Sequence, residues 1–343
     1  MMLEVTVNGR PIGPNHPTYV IAEIGFNHEG KEELGAEMIR AAARSGADAV
    51  KFQTFKADEL TLRNFEHFDL IRQGELSGEA HQRLVAVAAE EGVCFLSTPF
   101  SAWAVEVLEK TGAPAYKIAS MDVTNIPLLR LVAETRKPVI LSTGMATIDE
   151  IAEAVEALKA AGNGQLVLLH CVSRYPAEAE NVNLRTMEQI AETFGLPVGY
   201  SDHAMGNEVA LAAVALGARV IEKHFTTDKG LPGPDHKLSA DAGELEELVK
   251  GIRCVEKALG RRAADAQRPD RDNAAQARRS LFAARDIPAG TIIGPEDVKC
   301  VRPERGLSPG DIETVLGRPA KTDIGEEEPI TSENVRAPLD DKA

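Results

Sequence analysis

The chain has 343 residues and a formal net charge of −15 at pH 7. This acidity argues against nucleic acid or an anionic membrane as the main partner, because both would repel the protein. The length suffices for one barrel of about 250 residues and a small second domain.

Cysteine usage and the first residues indicate a soluble protein of the cytoplasm. Cys94, Cys171, Cys254 and Cys300 show no CxxC spacing, and two of them lie in apolar strand-like runs where a reduced thiol packs as a small hydrophobe. The chain starts without a basic region followed by an apolar stretch, and 18 apolar residues never run together. We therefore expect a protein that is not exported.

The first predicted element is a hairpin. Residues 3–12 alternate apolar and polar side chains around Asn8-Gly9, which is the strongest two-residue hairpin signal. We expect residues 1–16 to form a hairpin that closes the bottom of a barrel.

Eight short apolar runs of strand length follow, separated by segments with helical spacing such as residues 34–44. Alternating strands and helices require crossover connections and a parallel sheet, and eight such units predict a (β/α)8 TIM barrel over residues 17–260. Active sites of these barrels lie at the carboxyl ends of the strands, where the polar residues of the runs fall. The runs are residues 19–23, 49–53, 94–98, 115–120, 139–143, 166–171, 198–203 and 220–224.

Beyond the eighth run, Asp241 and Glu244 form a capping-box pattern for a helix that ends near Gly260. Residues 261–279 contain Pro269 and have no apolar face, which is typical of an extended linker. Residues 280–343 hold short apolar pieces between turn signals. They predict a small β-rich domain near the minimum size for independent stability.

Two histidines stand at neighbouring strand ends. By side-chain alternation Ser201 and His203 share one face of the seventh run, and Glu222 and His224 share one face of the eighth. Two such histidines can bind one divalent ion completed by water and substrate oxygens. For a random pair, polar histidines without a ligand would be the better interpretation. Their position at adjacent strand ends favours the metal site.

Lysines and serines predict an anion site at the same rim. Lys51 and Gln53 share a face of the second run, and Lys117 lies in the fourth, so two ammonium groups can point into one pocket. A single lysine is more often solvated. Two lysines with nearby hydroxyl donors favour a phosphate, which such barrels commonly bind at this end. The hydroxyl donors are Ser120, Ser142, Ser173 and Ser201.

Three carboxylates are candidates for proton transfer or for binding hydroxyl groups: Glu23, Asp122 and Asp235. Each has a loop cap or Asx turn as its alternative interpretation, and for Asp122 the two are nearly even. His170 lies on the face opposite Ser173 and is interpreted as structural.

Around these residues the sequence resembles the sialic acid synthase family, whose members condense phosphoenolpyruvate with N-acetylmannosamine or a related hexose. The resemblance covers almost the whole chain, and the C-terminal part resembles the family's antifreeze-like (SAF) domain. The motifs that carry it are residues 21–30, 50–54, 96–100, 116–120, 141–145, 199–203 and 222–226.

The resemblance implies specific roles. His203 and His224 would bind manganese, with magnesium or cobalt as alternatives, and Glu23, Asp235 and Arg302 would face the sugar. Glu23 and Asp122 are the expected catalytic carboxylates, although many members carry a glutamate in place of Asp122. The residues expected around phosphoenolpyruvate are Lys51, Gln53, Thr98, Lys117, Ser120, Ser142, Ser173, Tyr175 and Ser201.

The family's quaternary structure is also implied. Val301-Arg302-Pro303 matches the segment whose arginine reaches the partner subunit's active site, so we expect a domain-swapped homodimer. The segment between Phe55 and Leu76 is shorter than in the family. This segment covers the sugar pocket there, so a diacetamido-trideoxyhexose of the legionaminic or pseudaminic type stays an alternative to N-acetylmannosamine.

Two other functions remain open on the sequence alone. A Schiff-base aldolase would use Lys117 or Lys223 as its amine nucleophile. A non-catalytic sugar-binding protein could have kept the fold, although the intact set of strand-end residues argues against it.

Overall fold

The structure is a computed structural model that describes residues 4–260 and 270–335. The chain divides into two compact units, Met1–Gly260 and Arg261–Ala343. Across the described ranges, no helix has the length and apolar character needed to span a membrane.

The first unit begins with an antiparallel hairpin and continues as a closed barrel of eight parallel strands. The predicted TIM-barrel fold is therefore confirmed. The hairpin consists of β1 (Val5–Val7) and β2 (Arg10–Ile12). The barrel strands are β3 (Tyr19–Gly25), β4 (Ala49–Thr54), β5 (Cys94–Pro99), β6 (Tyr116–Ile118), β7 (Val139–Ser142), β8 (Leu166–Cys171), β9 (Val198–Asp202) and β10 (Val220–His224).

Helices occupy the intervals between the strands. The capping box predicted at Asp241 is present, because Asp241 Oδ1 accepts from the Glu244 amide at 2.9 Å and Glu244 Oε2 accepts from the Asp241 amide at 3.0 Å. The helices are α1 (Glu32–Arg44), α2 (Ala57–Leu60), α3 (Phe68–Gln73), α4 (Gly78–Glu90), α5 (Ala102–Thr111), α6 (Ile126–Glu134), α7 (Ile148–Ala160), α8 (Ala179–Val182), α9 (Thr186–Phe194), α10 (Glu208–Ala215) and α11 (Ala242–Leu259).

Strand alternation divides the barrel residues between two cores. Outward side chains such as Val50 and Phe52 pack with helix residues such as Met38 and Leu84. Inward side chains from most of the barrel strands form a separate apolar cluster that also contains Val5, Val7 and Ile12 of the hairpin. The hairpin therefore packs against the amino-terminal end of the barrel. The opposite end is left for the polar residues.

The predicted fourth strand is shorter than expected. It ends at Ile118, because Ser120–Asp122 turns into a 3-10 helix instead of extending the strand. This turn changes the direction in which the Asp122 side chain projects.

The second unit contains the antiparallel strands β11 (Ser280–Ala283) and β12 (Val298–Val301) around a small apolar core. Of the linker predicted over 261–279, residues 261–269 lie outside the described residues. The remainder is not extended: Arg271–Asn273 forms a 3-10 turn and Ala274–Ala277 forms α12, in keeping with the helix propensity of its alanines. The Ala275 carbonyl accepts from the Glu304 amide at 2.9 Å, which ties this stretch to the second unit.

Candidate functional site

A cavity of about 490 Å³ opens at the carboxyl ends of the barrel strands. It brings together nearly all the side chains that sequence analysis selected, although they come from widely separated parts of the chain. The selected residues that line it are Glu23, Lys51, Gln53, Thr98, Lys117, Ser120, Ser142, Ser173, Tyr175, Ser201, His203, His224 and Asp235.

Asp122 and Arg302 do not line this cavity. The Asp122 carboxylate is buried beneath the rim, where Oδ1 accepts from Asn125 Nδ2 at 3.0 Å, and burial raises its pKa. Asp122 Oδ2 has no hydrogen-bond partner among the described residues, and the catalytic role of Asp122 stays a prediction. Arg302 is exposed and follows β12 in the second unit, so its expected role in a partner's site stays a prediction.

The floor of the cavity is a buried cluster of two lysines and two glutamates. Lys51 Nζ lies 2.8 Å from Glu23 Oε2 and 3.8 Å from Glu222 Oε1, and Lys117 Nζ lies 3.2 Å from Glu222 Oε1. All four side chains point inward because they occupy alternate positions on β3, β4, β6 and β10.

Glu222 is a site residue that sequence analysis did not select. Ser201 Oγ donates to Glu222 Oε1 at 3.1 Å. Burial opposes ionisation of Glu222, but Lys117 and Lys51 outweigh it and lower its pKa to about 2. The signal was present in the sequence, because Glu222 precedes the inward-facing His224 by two positions.

The pKa values of the other three residues of the floor, Glu23, Lys51 and Lys117, shift in different directions. Burial raises the pKa of Glu23 despite the nearby Lys51 ammonium. Burial alone would lower the pKa of Lys51, but Glu222 and Glu23 raise it overall, whereas burial lowers the pKa of Lys117. Lys51 is thus held in its charged form, and Glu23 is the carboxylate of the floor that takes up a proton most readily.

One wall of the cavity is built from small hydroxyl residues around Gly144. The Gly144 amide donates to Ser120 Oγ at 2.9 Å. A Cβ on Gly144 would lie 2.6 Å from Ser173 Oγ and 2.9 Å from Ser120 Oγ, so any larger residue would have to displace both hydroxyls. The buried Ser142 hydroxyl has no hydrogen-bond partner among the described residues, which leaves it available to a ligand.

The two predicted metal ligands lie side by side. The ring centroids of His203 and His224 are 5.3 Å apart, a spacing compatible with two nitrogens about 2.1 Å from one ion. His203 Nδ1 pairs with the Val172 carbonyl at 2.8 Å, which leaves Nε2 for a metal. Burial, with His203 as a second cause, lowers the pKa of His224 well below its usual value, and its buried Nδ1 has no partner within the described ranges.

The lowered pKa of His224 fits a divalent ion, because a metal ligand must be a neutral imidazole, whereas Cys171 outweighs burial and raises the pKa of His203. Nowhere in residues 4–260 and 270–335 do three or more His, Cys, Asp or Glu side chains form a metal-binding group.

Two further strand-end residues, His170 and Cys171, lie on opposite faces of β8. His170 points outward and its Nε2 lies 2.7 Å from the Val182 carbonyl, as expected for a structural residue. Cys171 points inward, lines the cavity and lies 3.9 Å from His203 Nδ1. It is a free, buried thiol as expected, but the apolar run around it did not indicate that it lines the cavity.

Lys223 also lies outside the cavity. It projects from the outward face of β10 and pairs with Asp202 Oδ2 at 2.7 Å. Lys117 does line the cavity, but it contacts Glu222 and does not sit in an apolar setting. Lys223 therefore has no access to a substrate in the cavity, whereas Lys117, whose pKa is lowered by burial and by the neighbouring Lys51, stays the lysine that a Schiff-base mechanism would use.

Apolar side chains at the mouth of the cavity were not predicted. Several come from the short segment between β4 and α4, and they have no periodic signal because this segment forms only the short helices α2 and α3. The apolar residues at the mouth are Leu60, Phe65, Ile71, Phe100, Met121 and Met145.

Comparison with known protein families identifies the family of the chain. The sequence pattern of the NeuB family matches residues 38–264, and that of the SAF domain matches residues 278–336. The chain belongs to the NeuB family. The predicted resemblance to sialic acid synthases and to their antifreeze-like domain is thereby confirmed.

Several NeuB-family relatives match this chain over most of its length. It is 43% identical over 329 residues to the uncharacterized protein MJ1065 of Methanocaldococcus jannaschii, covering 96% of this chain and 98% of the relative. It is 41% identical over 333 residues to the N,N'-diacetyllegionaminic acid synthase of Legionella pneumophila, covering 91% and 93%. The crystal structure of N-acetylneuraminic acid synthetase from Leptospira borgpetersenii superposes with a TM-score of 0.77 at 37% identity, covering 80% of this chain and 95% of that one.

Proposed function

We propose that this NeuB-family protein is a nonulosonic acid synthase, a transferase that joins phosphoenolpyruvate to an acetamido hexose and releases phosphate. The observation that carries the proposal is a single cavity in which two buried lysines, a wall of serines and a pair of histidines face one another. Such a set suits an anionic phosphate ester held next to a polarised carbonyl group.

Phosphoenolpyruvate would lie on the floor of the cavity, against Lys51 and Lys117. Its carboxylate and phosphate need cationic donors, and Glu222 keeps both ammonium groups close together. The unpartnered Ser142 hydroxyl adds a neutral donor. Charge-assisted hydrogen bonds in a site shielded from water hold these groups through the reaction.

A divalent ion, proposed to be Mn²⁺ with Mg²⁺ or Co²⁺ as alternatives, would be held by His203 and His224 and would supply Lewis-acid polarisation of the sugar aldehyde. The chain's own contribution is the orientation of the two rings. Val172 fixes the tautomer of His203, and burial keeps His224 neutral.

The proposed reaction forms a carbon–carbon bond and breaks a carbon–oxygen bond. C3 of phosphoenolpyruvate attacks the aldehyde carbon, water adds at C2, and the tetrahedral intermediate expels phosphate to leave a keto-deoxy acid. Glu23 is the proposed acceptor of the water proton, because burial raises its pKa and Gln53 Nε2 donates to its Oε1 at 3.2 Å.

For the acceptor sugar, sequence analysis predicts N-acetylmannosamine, whereas the cavity mouth favours a diacetamido-trideoxyhexose. Leu60, Phe65 and Met145 offer apolar surface to a deoxygenated C6 and to a second acetyl methyl group. The Legionella relative, named as a legionaminic acid synthase, supports the same choice. A hydrophobic pocket rejects an added hydroxyl only by about 100-fold, so N-acetylmannosamine should still react slowly.

The test is phosphate release from phosphoenolpyruvate with each sugar, measured with the metal-stripped protein before and after addition of Mn²⁺. We expect release to require both sugar and Mn²⁺, with kcat/KM about 10- to 100-fold higher for the diacetamido sugar. The His203→Ala variant should show no Mn²⁺-dependent release.

Different results would contradict different parts of the proposal. Full activity of His203→Ala would remove the metal assignment, and higher kcat/KM for N-acetylmannosamine would reverse the choice of sugar. Covalent trapping of pyruvate by borohydride would indicate a Schiff-base aldolase instead. Sugar binding without phosphate release would indicate a non-catalytic protein.

A further inference from the structure

A buried lysine that does not line the cavity makes a closed set of hydrogen bonds behind it. Lys223 is 3% exposed, and its Nζ donates to Asp202 Oδ2 at 2.7 Å, to the Ala204 carbonyl at 2.5 Å and to the Gly206 carbonyl at 2.8 Å. An ammonium group has three hydrogens, so every donor of Lys223 is used.

The three acceptors belong to the end of β9 and to the loop that follows it, which carries His203. Asp202 precedes His203, and Ala204 follows it. Asp202 Oδ1 also accepts from the Ala204 amide at 2.9 Å, which closes the backbone around His203 into a tight turn. Lys223 therefore fixes the backbone on both sides of the histidine without touching its ring.

The lysine belongs to the strand that carries the second histidine. In the parallel pairing of β9 with β10, Lys223 lies opposite Asp202, so the next residues along the two strands are His224 and His203. Since consecutive side chains point to opposite faces, Lys223 lies behind the sheet while both rings face the cavity. Its hydrogen bonds thus join the two strand ends that present the rings.

We propose that Lys223 is a positioning residue that sets metal affinity by clamping the His203 loop to the strand of His224. This inference rests on the proposed function, in which the two histidines hold the metal. Outer residues that orient ligands typically change metal affinity by about 10- to 100-fold when mutated. A buried lysine–carboxylate pair often gives no more stability than packed hydrophobic residues of similar size, so stability alone does not explain the presence of Lys223.

The test measures Mn²⁺ affinity of the full chain by the electron paramagnetic resonance signal of free Mn²⁺. For Lys223→Met we expect the Kd for Mn²⁺ to rise about 10- to 100-fold, while metal-free phosphoenolpyruvate binding changes less than about twofold. Phosphate release should recover when Mn²⁺ is raised to saturate the weakened site. A residue needed only for folding would not produce this selective, metal-rescued loss.

Arg10→Met is a matched control. It removes a cation that pairs with the nearly buried Asp48 at the opposite end of the barrel. It should lower the melting temperature and leave Mn²⁺ affinity unchanged. If Lys223→Met does not fold, the double variant Asp202→Asn with Lys223→Met removes both charges and leaves the two loop carbonyls without their donor. The same loss of Mn²⁺ affinity is expected there.

The outcomes separate this inference from the proposed function. Mn²⁺ binding by a folded Lys223 variant within twofold of the parent would overturn the clamp while the metal site stands. An equal loss of Mn²⁺ affinity in Arg10→Met would also overturn it. No Mn²⁺ binding by the parent protein, or undiminished binding by His203→Ala, would overturn the metal site and the clamp together.

Discussion

Strand β10 separates two buried lysine–carboxylate clusters that have opposite hydrogen-bonding character. On its outward face, Lys223 and Asp202 form a closed set in which every ammonium hydrogen has an acceptor. On its inward face, Glu222 joins Lys51 and Lys117, but Glu222 Oε2 has no hydrogen-bond partner in the described part of the chain.

This difference separates a structural cluster from a binding site. Buried polar groups are normally paired, and each exception requires an explanation. The unpaired inward atoms also include Ser142 Oγ and His224 Nδ1, all within residues 4–260. The three side chains line one cavity, which supports a ligand that completes the inward cluster, whereas the outward cluster is complete without one.

The largest expected effect comes from removing an inward lysine. Lys51→Met should lower kcat/KM for phosphoenolpyruvate by about 10² to 10³, because a preorganised charged donor is lost from a site shielded from water. Its effect on stability should be smaller. Glu222 keeps Lys117 as a partner, and Glu23 can take up a proton because its pKa is already raised by burial. Steady-state kinetics and urea unfolding measure the two effects.

The outward variant Lys223→Met provides the contrast. The substitution leaves the carboxylate of Asp202, which is 1% exposed, without its charged partner. The unfolding free energy of the variant should therefore fall by about 3 to 5 kcal/mol. Saturating Mn²⁺ should restore most of its activity. If Lys51→Met lost stability without losing turnover, the distinction between the two clusters would be wrong.

Much of this arrangement could be predicted from the sequence, because strand alternation is a local property. Eight apolar runs with polar carboxyl ends suffice to place Lys51, His203 and His224 on the inward face of the barrel. Glu222 could have been selected by the same reasoning.

Other features could not be predicted because they depend on contacts between distant residues. The acceptors of Lys223 are two loop carbonyls and Asp202, and nothing in the sequence around Lys223 indicates that the backbone turns back toward it. The position of Asp122 outside the cavity lining could not be predicted for a similar reason, since the 3-10 turn at Ser120 places its carboxylate next to Asn125.

The shape of the inward cluster can be tested separately from its charge. Gly144→Ala should weaken phosphoenolpyruvate binding and turnover by about 100-fold, because the new methyl group would displace the hydroxyls of Ser120 and Ser173. Gly164→Ala is the control, since a Cβ there meets no atom within 4 Å. Calorimetric titration with phosphoenolpyruvate compares them. Equal binding by both variants would show that the serine wall does not hold this substrate.

The smallest expected effect tests whether Glu222 is ionised in the folded protein. Its pKa is lowered from 4.5 to about 2, so it stabilises the folded state fully above pH 4.5 and loses this contribution as the pH falls toward 2. Glu222→Gln lacks this contribution and should be less stable than the parent at pH 7.

The stability difference between Glu222→Gln and the parent should therefore narrow at low pH, by on the order of 2 kcal/mol, since one pKa unit corresponds to about 1.4 kcal/mol. Urea unfolding at a series of pH values between 7 and 3 measures it, with the surface variant Glu156→Gln as the control. A difference that stays constant over this range would mean that the lysines do not hold Glu222 ionised. The inward cluster would then carry a larger positive charge before any anion binds, and Glu222 would not offset the attraction of the two lysines for phosphoenolpyruvate.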